Sequence, residues 1–306
     1  MRIKMLVYVV WAFVLALGVQ SCHQPDVLPE AVRYPILFGS SDSRAVATID
    51  SLRTEGFRVH AYYKGEGAAT FAHNVNYQVV NGKDIWALSS PEYWIPGVTY
   101  WFKAFYPKEL TVDITINDGA SQSYSIKDYD IRTQKDIMVA SADKLAVPAD
   151  GDAPTSGSVV DLDFQHLLAC VAIEVTSEDD NVLVKSLSLG GIDNMGDYDG
   201  STWSADNTTS IDINSGITLD NSPEYTDLTN GGILVIPQEV KGIELVFVAN
   251  KEYRVEIPAD KTPAWNKGTK YTYKLTIKKN NITFVDNAPY TEEWDSESAT
   301  GSVIIK

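Results

Sequence analysis

Few side chains in this sequence could do covalent or metal chemistry. There are two cysteines, Cys22 and Cys170, and four histidines, His23, His60, His73 and His166, set among 41 acidic residues. Cys22 closes the stretch Val19-Gln20-Ser21-Cys22, with an aliphatic residue three places before the cysteine and a small one just before it. That is the pattern of a lipobox, from which Gln20 departs. Upstream, Arg2 and Lys4 precede an uncharged apolar run from Met5 to Val19, which falls short of the ~20 residues of a spanning helix and fits a secretory signal peptide. The reading is therefore a lipoprotein signal peptide over 1–21, cleaved before Cys22, whose sulfur and amino group then take acyl chains such as palmitate. The alternative is a plain signal peptide with a cysteine nearby. Cys170, in "LLACVAIEV", reads as a small buried hydrophobe. A Cys22–Cys170 disulfide suits an oxidising compartment, but acylation would use up Cys22.

Nothing else nominates a catalytic group. No GxSxG, P-loop, GxGxxG or HExxH motif occurs, and there is no CxxC pair for structural zinc. A His60/His73 metal pair lacks identifiable carboxylate partners, so both read as solvated or hydrogen-bonded. Acids are so many that no glycosidase-like pair stands out. "DNMGDYDGSTWSADN" (193–207) misses the EF-hand spacing and reads as a polar loop. No metal, cofactor or enzymatic role is expected. The formal charge is −16; residues 1–21 carry two cations and no acid, leaving about −18 on the mature chain, which disfavours nucleic acid and anionic membrane surfaces. Seven aromatics lie between Tyr93 and Tyr106. Tyr100, Phe102 and Tyr106 share parity with apolar neighbours and read as core, whereas Trp94 and Trp101 read as the more exposed pair. They are the basis of an alternative, a surface carbohydrate-binding lipoprotein.

The elements that would carry these residues are strands. "FRVHAYY" puts Phe57, Val59, Ala61 and Tyr63 on one face, and "VTYWFKAFYP" does the same for Val98, Tyr100, Phe102, Ala104 and Tyr106. "LTVDITIN" points Leu110, Val112, Ile114 and Ile116 inward. "YQVVNGKDIWAL" reads as a hairpin turning at Asn81-Gly82. "VVDLDFQ", "ACVAIEV", "LVKSLSLGGI", "GGILVIPQEV", "IELVFVANKEYRVEIP" and "YTYKLTIKKNNITFV" continue the style. No stripe of helical period runs over three turns, so helices should be few and short. Many short strands punctuated by Gly, Pro, Asn and Asp indicate an all-β protein of antiparallel β-sandwiches. The Pro/Gly/Asp/Ser-rich stretch Val147–Ser158 divides two of them, one over 33–155 and one over 156–306, with 22–32 as a tether.

Four segments in order resemble the fimbrillin family, the Mfa-like and FimA-like subunits of type V pili. They are "YPILFGSSDSRAVATIDSLRTEGFRVHAYY", "DIMVASADKLAVP" with "VVDLDFQHLLACVAIEV", "GGILVIPQ", and "WNKGTKYTYKLTI". The resemblance covers about residues 34–285 and implies two tandem transthyretin-like sandwiches in a non-catalytic, adhesive fimbrial subunit or fimbria-associated surface lipoprotein. It also implies export to the outer membrane with a lipid anchor. An arginine-specific protease would then remove the amino-terminal segment, lipid and first strand included, and release the subunit into the fimbrium. The partners implied are other fimbrial subunits, joined by strand addition, and a host or bacterial surface receptor or glycan. Arg44 in "SDSRAVA" matches the family's processing step, with Arg33 and Arg53 as alternatives. The donor strand would come from the carboxy end, at Val303, Ile304 and Ile305.

Overall fold

The computed structural model describes residues 33–40, 46–80, 83–117, 122–147, 159–205, 208–213, 216–279, 281–286 and 288–294. The first strand, β1 (Leu37–Ser40), leads to the helix α1 (Val46–Glu55). Then come β2 (Phe57–Lys64), β3 (Ala68–Val80), β4 (Lys83–Leu88), β5 (Thr99–Tyr106), β6 (Asp113–Ile116), β7 (Gln122–Asp130) and β8 (Met138–Ala146). Past residue 155 follow β9 (Val159–Leu162), β10 (Gln165–His166) and β11 (Ala169–Ser177).

Eight of these strands form one sheet in the order β10-β8-β5-β2-β3-β4-β1-β9. Its core holds the alternating residues expected from the sequence: Phe57, Val59 and Ala61 on β2, and Tyr100, Phe102, Ala104 and Tyr106 on β5. β3 and β4 pair antiparallel from Val75↔Leu88 to Val80↔Lys83, as a hairpin requires; Asn81-Gly82 lies outside the described residues. Leu110, Val112 and Ile114 keep the expected phase but are only half-buried, and Ile116 is exposed, because β6 pairs only with β7 at the edge of a separate sheet. At ten residues α1 is too short for a helical stripe over three turns; among its described side chains Leu52 is deeply buried. The helix ends at Gly56, whose N–H reaches the Leu52 carbonyl at 3.0 Å with φ at +72°. A Cβ there would sit 2.4 Å from the Val75 carbonyl oxygen, so the turn demands glycine.

The second half is also strands. A six-stranded sheet holds β11 between Ser222–Asp227 and Thr269–Lys278, and a four-stranded sheet is centred on Ser186–Asp193 and Glu244–Val248. Val171, Ile173 and Val175 of the first share one core with Leu187, Leu189, Leu245 and Phe247 of the second. The halves interlock. β7 pairs with Met195–Tyr198, β9 and β10 join the first half's sheet, and a third core of Ile126, Ile131, Ile137, Leu167, Leu168, Leu234 and Ile236 draws on both. Within it the Nδ1 of buried His166 lies 2.5 Å from the buried Asp136 carboxylate, and the imidazole stacks on Trp294 at 4.0 Å between centroids.

Candidate strand-exchange groove

β1 is an interior strand of its sheet. It pairs antiparallel with β4, Leu37 opposite Ala87 and Phe38 opposite Trp86. On its other side it pairs parallel with β9, Leu37 to Ser40 opposite Val159 to Leu162. The chain just before it is also held: the Ile36 N–H donates to the Glu92 carbonyl at 2.8 Å, and the Trp94 N–H to the Tyr34 carbonyl at 3.1 Å. Ile36 is 2% exposed and Phe38 fully buried, with Phe38 edge-on to Phe102 at 5.4 Å. Burying two such side chains is worth about 3–6 kcal/mol. Four residues thus fill a slot bounded by two strand edges and floored by apolar pockets.

The chain immediately after the slot is anchored independently. Leu52 of α1 is fully buried, and the Trp86 indole N–H donates to the Leu52 carbonyl at 3.3 Å. A cut between β1 and α1 would sever the covalent link to β1 while α1 stays fixed to β4.

Arg44, Cys22, Val303, Ile304 and Ile305 lie outside the described residues. Of the alternative arginines, Arg33 is exposed just ahead of the slot. Arg53 is occupied: it sits in α1, is paired with Asp50 at 3.2 Å and with Asp84, and lies over the Tyr77 ring. A protease needing that side chain in its pocket would have to extract it from a helix.

The other reactive groups resolve into structural roles. His60 and His73 cannot share a ligand. Val59, not His60, stands opposite His73, so alternation sends the two imidazoles to opposite faces. His73 Nε2 is 3.2 Å from the Glu92 carboxylate, and burial lowers the His60 pKa to about 4. Among the described residues no three His, Cys, Asp or Glu side chains converge to hold a metal. Cys170 is buried, and its burial raises the thiol pKa to about 12. Within the 193–207 stretch Met195–Tyr198 and Trp203–Ala205 are two short strands joined by a turn in which Asp199 accepts from the Ser201 and Thr202 N–H groups, while Asp197 pairs with Lys127.

Trp94 and Trp101 are not exposed. They are 8% and 7% accessible. Trp94 packs edge-on to Tyr100 at 5.0 Å, and Trp101 lies beside Tyr62 with its carbonyl accepting from Gln122 of β7. β7 covers the outer face of β5, so both faces of that strand are interior. A sugar platform at these two rings is therefore ruled out.

A sequence model described as fimbrillin-like matches residues 44–294. The chain belongs to the fimbrillin-like family. Membership associates the chain with a cell-surface appendage and with other fimbrial subunits. Among solved structures it is similar to a fimbrial protein from Bacteroides vulgatus (16% identity, TM-score 0.58, covering 86% of this chain and 100% of that one). It is also similar to a candidate cell adhesion protein from Bacteroides uniformis (17%, 0.56, 87% and 99%) and to another from Bacteroides ovatus (13%, 0.51, 86% and 98%). At these identities the likeness speaks for the fold alone. A search of curated proteins finds no match. The two walls of the slot, β4 and β9, were not singled out as functional in the sequence. "VVDLDFQ" shows strand alternation, but its parallel partner lies more than 100 residues away.

Proposed function

We propose that this fimbrillin is a non-catalytic, adhesive subunit that assembles by exchanging β1 for a strand of a neighbouring subunit. The supporting observation is that β1 is an interior strand between β4 and β9, with Phe38 within it and Ile36 just before it both buried. Removing it exposes two ladder edges and two apolar pockets, the conditions under which a foreign strand adds through main-chain hydrogen bonds and alternate side chains. In this reading the chain is exported as a Cys22 lipoprotein to the outer membrane, and cleavage after Arg44 releases both lipid and β1. The donor is the carboxy-terminal Val303-Ile304-Ile305 of another copy. The body is two tandem transthyretin-like sandwiches dividing near residue 155, with β9 and β10 crossing that boundary.

Arginine-specific proteolysis of the mature chain tests it. Dimers and ladders that resist mild denaturant should form, begin at Ala45, and vanish when residues 301–306 are deleted. A product that stays strictly monomeric refutes the reading. Amino-terminal sequencing from cells then separates a retained anchor, starting at acylated Cys22, from a processed subunit starting at Ala45.

A further inference from the structure

Among the described residues β9 has one ladder partner, β1. Release of β1 therefore does more than open a slot. Among the described residues it strips β9 of every strand pairing, leaving it held by the burial of Val160 and Leu162, by its contacts with β8 and by its continuation into β10. A strand with unsatisfied N–H and C=O groups beside an equally unsatisfied edge is unstable in that state.

We propose that β9 is the movable wall of the groove: once β1 leaves, β9 closes onto the β4 edge and caps the subunit until an incoming strand displaces it. This rests on the strand-exchange reading and adds its regulation. Three features support it. β1 runs antiparallel to β4 and parallel to β9, so β9 runs antiparallel to β4 and can pair with it directly. The antiparallel ladder gained is slightly stronger per residue than the parallel one lost. The registers also agree, since Phe38 stands opposite both Trp86 and Val160, and a sideways step of one strand brings Val160 toward the Phe38 pocket. Valine underfills a pocket shaped by phenylalanine. The cap is therefore weaker than a strand bearing large apolar residues at the Ile36 and Phe38 positions, and gives way to one.

Ala87 and Val159 both stand opposite Leu37, from its two sides. With β1 in place they are two strand spacings apart, ~9.6 Å, beyond the ~7 Å reach of a disulfide. Closure would bring them to one spacing. The test uses the mature chain with Cys22→Ser, Ala87→Cys and Val159→Cys and a specific protease site within 41–45. The chain is cut after folding, β1 is removed by gel filtration in mild denaturant, and the denaturant is diluted away. The 87–159 disulfide should form in the depleted body, be absent from the uncut chain, and be suppressed by added peptide 33–44. In the chain without added cysteines, amides 160–162 should remain protected from hydrogen exchange after depletion, which covers any misfolding of the double variant. A disulfide in the uncut chain, or none in a depleted body that still binds the peptide with 160–162 exchanging freely, overturns the moving wall and leaves strand exchange standing. A depleted body that forms the disulfide, yet never binds the peptide after that disulfide is reduced, supports the wall and overturns the exchange reading.

Discussion

Phe38→Ala should destabilise the uncut chain and have no effect on the body once β1 has gone. Phe38 is fully buried, faces Trp86 across the ladder and meets Phe102 edge-on at 5.4 Å. Truncating a buried phenylalanine costs about 3–5 kcal/mol, made up of lost transfer energy and the cavity left behind. The ring pair accounts for about 0.5–1.5 kcal/mol of that. Phe38 lies near the start of the described chain, where β1 can partly relax, so the lower end, about 3 kcal/mol, is expected. Urea unfolding, followed by tryptophan fluorescence, should show the midpoint lowered for the uncut variant. After cleavage after Arg44 and removal of β1, variant and wild type have the same sequence and must coincide. Peptide 33–44 carrying the substitution should then rebind at least about 100-fold more weakly, since each 1.4 kcal/mol is a factor of ten. A cost below about 1 kcal/mol in the uncut chain would show that Phe38 does not anchor the slot, and the acceptor geometry would fall with it.

Gly56→Ala forces a side chain into a +72° φ and onto the Val75 carbonyl, so it should cost at least about 1–3 kcal/mol in thermal or urea unfolding; a neutral variant would contradict the turn at the end of α1. His60 has a folded pKa of about 4, below its ordinary 6.5, with burial the main cause and Arg58 adding to it. Between these values the unfolded chain binds more protons, so stability rises with pH from about 4 to 6.5 and is level above. NMR titration of His60 near 6.5, or an unchanged slope in His60→Gln, would count against this. Cys170 should resist thiol reagents in the folded chain and react only on unfolding, because burial keeps it a thiol with a pKa of about 12; fast labelling of the native protein would contradict its placement.

Local alternation carried much of the fold into view. Phe57, Val59 and Ala61, and Tyr100, Phe102 and Ala104, lie inward as their spacing demands, because each face of a strand is set by period two. The same rule failed on β5, where Trp101 and Phe105 point away from that core and are buried too. Alternation cannot reveal that β7, some 20 residues on, folds over the second face. α1 escaped notice for a similar reason. It is only ten residues long, under three turns, and Leu52 is held by burial and by the Trp86 indole, a contact from a strand more than 30 residues on. The slot lay beyond sequence reasoning altogether: the interior position of β1 depends on pairing with β9 across more than 100 residues.

That long-range pairing bears on how the body would keep its fold if β1 leaves as proposed. β1 joins the first half's β4 to β9 from beyond residue 155, so its loss cuts one of the links between the halves. The others do not pass through it. β7 remains paired with Met195–Tyr198, β10 with β8, and the third core keeps Ile126, Ile137, Leu167, Leu168 and Leu234 together. The buried His166–Asp136 contact sits within that junction, and leaving one partner of a buried polar pair unsatisfied costs about 1–3 kcal/mol. The ladder from β8 through β5, β2 and β3 to β4 is likewise intact. The fold thus confines the effect of losing β1 to the β4 edge and β9. A subunit built this way would keep these other links on giving up β1, and the link between β4 and β9 would return first as the cap that β9 forms on β4 and then through the strand that displaces it.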